Sequence, residues 1–179
     1  MIVESIVPFL PCEFRIKFAA SRWEREGALA LRRAVFCDEQ ELFAGDDRDA
    51  TDGYAIPIVA LSMLGVAADR VVGAVRIHEE APGLWWGSRL AVDRDYRRVG
   101  AIGATLIRLA VSSAHAMGCR TFLAHVQAQN GALFRQMHWE TLDEVDLHGR
   151  PHLRMRADLA AYPPCTAPEM GFVALRKAA

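Results

Sequence analysis

One long apolar segment restricts the folds open to this chain more than any other feature. Residues 84–92 (LWWGSRLAV) and 119–127 (CRTFLAHVQ) have strand-like patterns, and residues 98–117 between them predict the longest helix, ended by Gly118. A helical crossover makes the two strands that it joins parallel neighbours. The sequence therefore predicts a central sheet with at least one parallel strand pair and a helix packed across it.

The remaining segments alternate in the same way. Further strands are predicted at 12–20, 54–65 and 70–78 and on both sides of HGRP (148–151), and further helices at 23–40 and 130–137. Alternating helices and strands predict a mixed α/β sheet covered on both faces. We expect one domain over residues 1–162, followed by a peripheral, Pro-rich C-terminal tail over 163–179.

Composition excludes several classes of protein. The 179 residues carry a formal net charge of −1, so a broad nucleic-acid-binding surface is not expected. No apolar run approaches the ~20 residues of a membrane helix, and the N-terminal MIVESIVPFLP lacks the basic start of a secretory signal. The four cysteines form no CxxC pair, which favours reduced thiols and a cytoplasmic location.

The start of the long helix has the composition of a phosphate site. Four arginines (89, 94, 97 and 98) lie within ten residues, next to Gly100 and Gly103. The first backbone N–H groups of a helix have no internal partner, and glycines allow an anion to approach them closely. A plain strand–turn–helix with solvated arginines is the alternative. A P-loop is disfavoured because no lysine follows the glycines, and the Rossmann dinucleotide-binding fingerprint is disfavoured because it is incomplete.

Three segments, in order, resemble a known family. The stretch LAVDRDYRRVGAIGATLI resembles the acetyl-CoA-binding motif of the GNAT acetyltransferase superfamily, and HVQAQNGALFRQMHW resembles its second motif. Upstream, LRRAVFCDEQ is similar to a helix of some GNAT branches, and the chain also resembles bacterial nitrogen-starvation acetyltransferases. The resemblance covers roughly residues 13–158. It implies a mostly antiparallel central sheet with one splayed parallel strand pair, helices on both faces, and acetyl-CoA as co-substrate.

The resemblance also assigns cofactor-binding residues. The motif fits best when Arg98 is followed by Ala101 and Gly103, and Phe134 stands where many members have a catalytic tyrosine. By resemblance, backbone groups of the strand residues Leu90, Ala91 and Val92 would bind the pantetheine. The pyrophosphate would be bound at the start of the helix, by Arg97, Arg98, Val99, Gly100, Ala101, Ile102, Gly103 and Ala104. Asn130 and Phe134 of the second motif would complete the site.

The acceptor side has less specific candidates. DDRDATDG (46–53) departs from a calcium loop, so it is either a solvated acidic loop or one that faces an amine. By resemblance, Glu39 and Asp47 are expected to contact a cationic amine. His78 or Glu79 could remove the amine proton, and Pro82 excludes an HExxH zinc site, so no metal is expected.

Several aromatic residues and histidines admit two interpretations. Trp85 and Trp86 point to opposite faces of a strand, so one is expected in the core and the other could line an acceptor pocket. His125 is interpreted as a hydrogen-bonded core residue in preference to a catalytic one. His148 and His152 flank a hairpin turn and receive no assigned role.

The sequence thus predicts an N-acetyltransferase that moves an acetyl group from acetyl-CoA to the primary amine of a small acceptor by direct attack. A non-catalytic acyl-CoA-binding regulator remains an alternative, because Phe134 cannot donate a proton. A second alternative is an acyltransferase that resembles the acyl-homoserine-lactone synthases. The expected partner is a small-molecule amine, with neither nucleic acid nor membrane involved, and a homodimer is left open.

Overall fold

The computed structural model describes residues 11–176, which form eight strands in a single sheet and three α-helices. Most of MIVESIVPFLP lies outside the described residues. The strands are β1 (Glu13–Phe18), β2 (Ile56–Leu64), β3 (Ala67–Ala81), β4 (Leu84–Val92), β5 (Thr121–Gln127), β6 (Trp139–Leu147), β7 (Arg150–Ala157) and β8 (Phe172–Leu175). The helices are α1 (Arg22–Arg33), α2 (Gly100–Ala116) and α3 (Gly131–Gln136).

The sheet has the predicted parallel pair at its centre. The strand order is β6-β7-β5-β4-β3-β2-β1-β8, and β4 pairs with β5 in parallel while the other pairings are antiparallel. The parallel pairing extends only from Leu84 to Gly87 on β4, opposite residues 121–124. Beyond Gly87 the two strands separate. The predicted mostly antiparallel sheet with a splayed parallel pair is confirmed.

Two helices cover opposite faces of the sheet, as predicted. Along β2, Ile58 and Ala60 pack in the core cluster under α2, whereas the alternating Val59 and Leu61 pack in the cluster under α1. Successive strand residues point to opposite faces, so the two clusters lie on the two sides of the sheet. α2 is buried along most of its length because it crosses the centre of the sheet.

Two elements differ from the sequence-based prediction. The helix predicted over 23–40 is α-helical only to Arg33 and ends in a π-helical turn over Ala34–Glu39, where Gln40 N–H donates to the Val35 carbonyl. The segment predicted as a peripheral tail contributes β8, which pairs with β1 and adds an edge strand. Within the described chain, no helix has both the length and the apolar character needed to cross a membrane.

Candidate active site

A cavity of about 410 Å³ occupies the gap where β4 and β5 separate. On the α2 face its wall is apolar, with Ile107, Val111 and Phe122. On the α1 face the wall contains arginines, histidines and glutamines beside Phe36, Leu42 and Phe43. The cavity therefore joins an apolar compartment to a polar one at the centre of the sheet.

The N-terminus of α2 is open, as a phosphate site requires. Its N-cap residue, Val99, has no side-chain hydrogen bond with the described residues. A Cβ atom added at Gly100 would meet no described atom within 4 Å, and one at Gly103 would meet only a Val92 methyl group, at 3.9 Å. Arg98 is exposed beside this end. Helix-terminal amides that no described side chain caps, open space and an exposed arginine fit a pyrophosphate group.

Arg97 has a different environment from Arg98. Its Nε donates to the Val92 carbonyl at 3.0 Å, and its two terminal nitrogens bond the Glu39 carboxylate. These bonds hold the pKa of Glu39 below its ordinary value, although burial alone would raise it. Glu39, expected to contact an amine, thus lies against a cofactor-side arginine at the surface, and it is not among the described residues that line the cavity.

The strand residues predicted to bind pantetheine lie along the gap. Leu90–Val92 follow the last residue paired with β5, and β4 is bonded on its other side to β3, where Ala74 is opposite Ala91. The side of β4 that faces the gap is therefore open for backbone hydrogen bonds, as in the addition of a strand to a sheet. Leu90 itself lines the cavity.

Both residues of the second motif line the cavity. Asn130 precedes α3, and Phe134 lies within it, 6% exposed and packed edge-to-face on Trp139 at 5.1 Å between ring centroids. The Trp139 indole donates to the Tyr162 hydroxyl, which itself donates to the Met137 carbonyl. Phe134 is therefore a fixed apolar wall of the cavity.

On the acceptor side the two candidate bases have separate positions. His78 lines the cavity, packs edge-to-face on Tyr54, and has a buried Nδ1 that no described residue bonds. Burial lowers the pKa of His78, and the nearby charge of Arg76 lowers it further. Glu79 is exposed and accepts a hydrogen bond from Gly83 N–H in the β3–β4 turn. His78 is thus the one of this pair placed to meet an acceptor.

Other polar residues complete the acceptor side. Trp86 lines the cavity and stacks on the exposed His125, whereas Trp85 is buried in the core, so the predicted division of the two tryptophans is confirmed. The interpretation of His125 as a core residue is wrong. His148 and His152 also line the cavity, at the turn between β6 and β7. Among the described residues, no three His, Cys, Asp or Glu side chains are placed to hold a metal ion.

The acidic loop before β2 belongs to a network of ion pairs beneath the cavity wall. Three arginines from three different elements meet three aspartates of this loop. The arginines are Arg32 of α1, Arg76 of β3 and Arg89 of β4, and the aspartates are Asp47, Asp49 and Asp52. Asp46, Arg48 and Asp49 of the loop are exposed, in agreement with a solvated loop. Asp47, expected to contact an amine, is only 1% exposed and is paired with arginines. Arg89, grouped by sequence with the phosphate arginines, lies in this network instead.

Charge compensation in the network is uneven. Bonds from Arg76 lower the pKa of Asp49. Burial alone would raise the pKa of Asp52, but bonds from Arg32 and Arg76 outweigh it and lower this pKa well below its usual range. The pKa of Arg89 is lowered, because burial disfavours its charge and the neighbouring charge of Arg76 acts in the same direction. Arg89 is thus the arginine whose charge the network compensates least.

Comparison with known proteins agrees with this geometry. Residues 23–139 match the model of the acetyltransferase (GNAT) family. The chain belongs to this family. The predicted superfamily and the predicted enzyme class, an acyltransferase, are confirmed, whereas the narrower nitrogen-starvation branch is not supported.

Solved structures show the same fold at low sequence identity. A candidate N-acetyltransferase from Lactobacillus plantarum has a TM-score of 0.71 and 23% identity over 82% of this chain and 98% of its own. Escherichia coli ElaA has a TM-score of 0.66 and 20% identity over 82% of this chain and 99% of its own. An acyl-CoA N-acyltransferase from Pseudomonas aeruginosa has a TM-score of 0.62 and 17% identity over 81% of this chain and 99% of its own. No curated protein sequence matches the chain.

Sequence reasoning missed several residues of the cavity wall. Arg76 carries no local motif, and Gln40 ends the segment LRRAVFCDEQ without having been assigned a role; they reach the cavity through the register of β3 and the π-helical turn after α1. The Gln40 side chain accepts a hydrogen bond from Gln127, and its carbonyl accepts one from Arg150. The π-helical turn, a feature frequent at functional sites, is visible only in the structure.

Proposed function

We propose that this GNAT acyltransferase moves an acetyl group from acetyl-CoA to the primary amine of a small acceptor. One observation carries the proposal: the cavity follows the free edge of β4 at Leu90 and joins an apolar wall with Ile107 and Val111 of α2 to a polar wall on the other side of the sheet. The N-terminus of the same helix is open. Acetyl-CoA would supply a thioester that an uncharged amine can attack without a covalent enzyme intermediate. The chain then needs to position two substrates and accept one proton.

Each part of the cavity has a role in this proposal. The amides at the start of α2, with Arg98, bind the pyrophosphate, and the backbone of Leu90–Val92 binds the pantetheine amides. Backbone N–H groups of β4 beyond the last β5 partner are available to the developing oxyanion. Phe134 keeps the thioester side dry.

His78 is the proposed general base. It lines the acceptor side, and burial keeps its imidazole neutral at neutral pH, so it can accept the proton that the amine loses. Glu39 and Glu79 are occupied by Arg97 and by the β3–β4 turn. We therefore assign neither of them a direct role in proton transfer.

The experiment measures CoA thiol release from acetyl-CoA with a panel of primary amines, in the intact protein and in two variants. Arg98→Glu replaces a phosphate-binding charge by a repulsive one, and Gly103→Val fills the space above the first helical turn. Both should raise the KM for acetyl-CoA at least tenfold. Arg22→Glu, a charge reversal at a 91% exposed position on α1, is the matched control and should leave this KM unchanged.

Two results would contradict the proposal. An unchanged acetyl-CoA KM in both variants would place the cofactor elsewhere. Tight acetyl-CoA binding without CoA release for any amine would favour the non-catalytic regulator. Longer acyl-CoA donors in the same assay distinguish acetyl transfer from the acyl transfer of a synthase-like enzyme.

A further inference from the structure

Arg89 is held at one end only. Its Nε donates to Asp47 Oδ2 at 2.9 Å, and one terminal nitrogen, Nη2, donates to the Asp47 carbonyl at 3.0 Å and to Asp49 Oδ2 at 3.2 Å. Its guanidinium carbon lies 4.5 Å from the centre of the Phe43 ring. No described residue accepts a hydrogen bond from Nη1, although Arg89 lines the cavity and its side chain retains 18% exposure. Two charged N–H groups are therefore left for a ligand.

The neighbouring Arg76 shows the contrast. Its Nε donates to Ser88, and both of its terminal nitrogens bond Asp49 at 2.7 Å. Its side chain is 5% exposed. Bonds from Asp49 and Asp52 raise the pKa of Arg76 despite its burial, whereas burial lowers the pKa of Arg89. Arg76 is a structural cation, and Arg89 is a cation that an additional anion would stabilise.

The backbone at Arg89 is also unusual. It has φ +56°, the left-handed region, at a bulge where β4 has one residue more than β3 between the pairs Ala74–Ala91 and Arg76–Ser88. A non-glycine residue rarely adopts this region. Bulges redirect side chains near active sites, and strain of this kind persists where function uses it. Here the bulge directs Arg89 to the cavity and the acidic loop.

The charges that line the acceptor side are mostly positive. Arg76 and Arg89 line the cavity, while their partners Asp47, Asp49 and Asp52 are not among the described residues that do. Glu80 is the one carboxylate among the described lining residues, and it accepts a hydrogen bond from the Trp86 indole at 2.9 Å. Such a wall disfavours polyamines and other multiply charged cations, in contrast to the cationic acceptor expected from the sequence.

We propose that the acceptor is an amine that also carries a carboxylate, as an amino acid does, and that Arg89 binds this carboxylate while the amine faces the thioester. The proposal rests on the proposed acetyl transfer and narrows its substrate class. A charge-assisted bond to a guanidinium orients a carboxylate strongly. Arg89 is then a specificity-determining residue, and it takes no part in proton transfer.

The test uses matched acceptors, so that the comparison does not depend on any variant folding. CoA release is measured for a set of L-amino acids, for their carboxamides and for the corresponding decarboxylated amines. We expect kcat/KM to be at least tenfold higher for the best acid than for its amide and its decarboxylated amine. Arg89→Gln should remove this preference by raising the KM of the acid, and Arg89→Lys should restore part of the preference.

Each outcome decides the question. Equal or better turnover of the amides and simple amines overturns the carboxylate proposal while acetyl transfer stands. Loss of turnover for acids and amides alike in Arg89→Gln, in a protein with unchanged thermal unfolding, would show that Arg89 acts on the reaction generally. If no amine releases CoA, acetyl transfer fails, and titration calorimetry with the same acid–amide pairs still decides whether the cavity selects a carboxylate.

Discussion

The ion-pair network makes a quantitative prediction for Arg32, whose side chain is 5% exposed at the end of α1. Its Nε donates to Asp47 at 2.8 Å, and its terminal nitrogens donate to Asp52 at 2.6 and 3.0 Å. Arg32→Met keeps much of the side-chain volume and removes the charge. Breaking a buried ion pair from one side costs roughly 3–5 kcal/mol, because the partner stays buried and unpaired.

The lower end of that range applies here. After the substitution Asp47 still bonds Arg89, and Asp52 still bonds Arg76. We therefore expect a loss of about 3 kcal/mol in the free energy of unfolding. In a domain of this size 1 kcal/mol shifts Tm by about 2–4 °C, so Tm should fall by about 6–12 °C. Thermal unfolding followed by circular dichroism, together with urea unfolding, measures both quantities.

The control and the pH dependence make the test specific. Arg22→Met on the same helix removes an exposed pair with Glu26 and should change Tm by less than about 2 °C. The pKa of Asp52, which Arg32 bonds, is lowered in the folded state. The contribution of this pair is therefore complete above the unfolded pKa of about 3.9 and is lost as pH falls through the folded value. The difference between wild type and Arg32→Met should shrink below about pH 4. An unchanged or higher Tm for Arg32→Met at pH 7 would refute the argument.

Two further predictions concern the reaction. His78→Gln should lower kcat by about 10²–10⁴-fold, the usual contribution of a general base, and leave acetyl-CoA binding measured by calorimetry unchanged. Because burial lowers the pKa of His78, the wild-type kcat profile at saturating amine should have an acidic limb below pH 6.5 that His78→Gln lacks; a kcat unaffected by the substitution would exclude this base. Phe134→Tyr should change kcat less than about tenfold, because a thiol with a pKa of about 8.5 leaves readily without an acid; a gain of a hundredfold or more would show that the wild-type enzyme lacks a needed acid.

The sequence predicted those parts of the fold whose signals are local. The apolar periodicity of residues 98–117 and the strands on either side of them determine the parallel pair, and the glycines determine the open start of α2. β8 was not predicted as a strand, because it has four residues in a Pro-rich segment and its partner β1 lies more than 150 residues earlier in the chain. Such a short edge strand forms only by pairing with a strand of the folded sheet, here β1.

The acceptor side could not be predicted for a different reason. A run of aspartates has the same pattern whether water or arginines surround it, and the partners of this loop come from α1, β3 and β4. The left-handed backbone of Arg89 also has no signature, since glycine is the residue that normally indicates such a position. The arginine count near α2 pointed to phosphate, but the bulge in β4 separates Arg89 from the other three.

The positive wall has a consequence for the choice of base. Arg76 lowers the pKa of His78, and a weaker base accepts a proton less readily. Glu80 and Asp49 act on His78 in the opposite direction, but the lowering prevails. In the proposed complex the same guanidinium charges would also disfavour an ammonium group bound against this wall. A carboxylate bound at Arg89 would offset part of this field at the far end of the acceptor, so the proposed acceptor class and the proposed base are compatible.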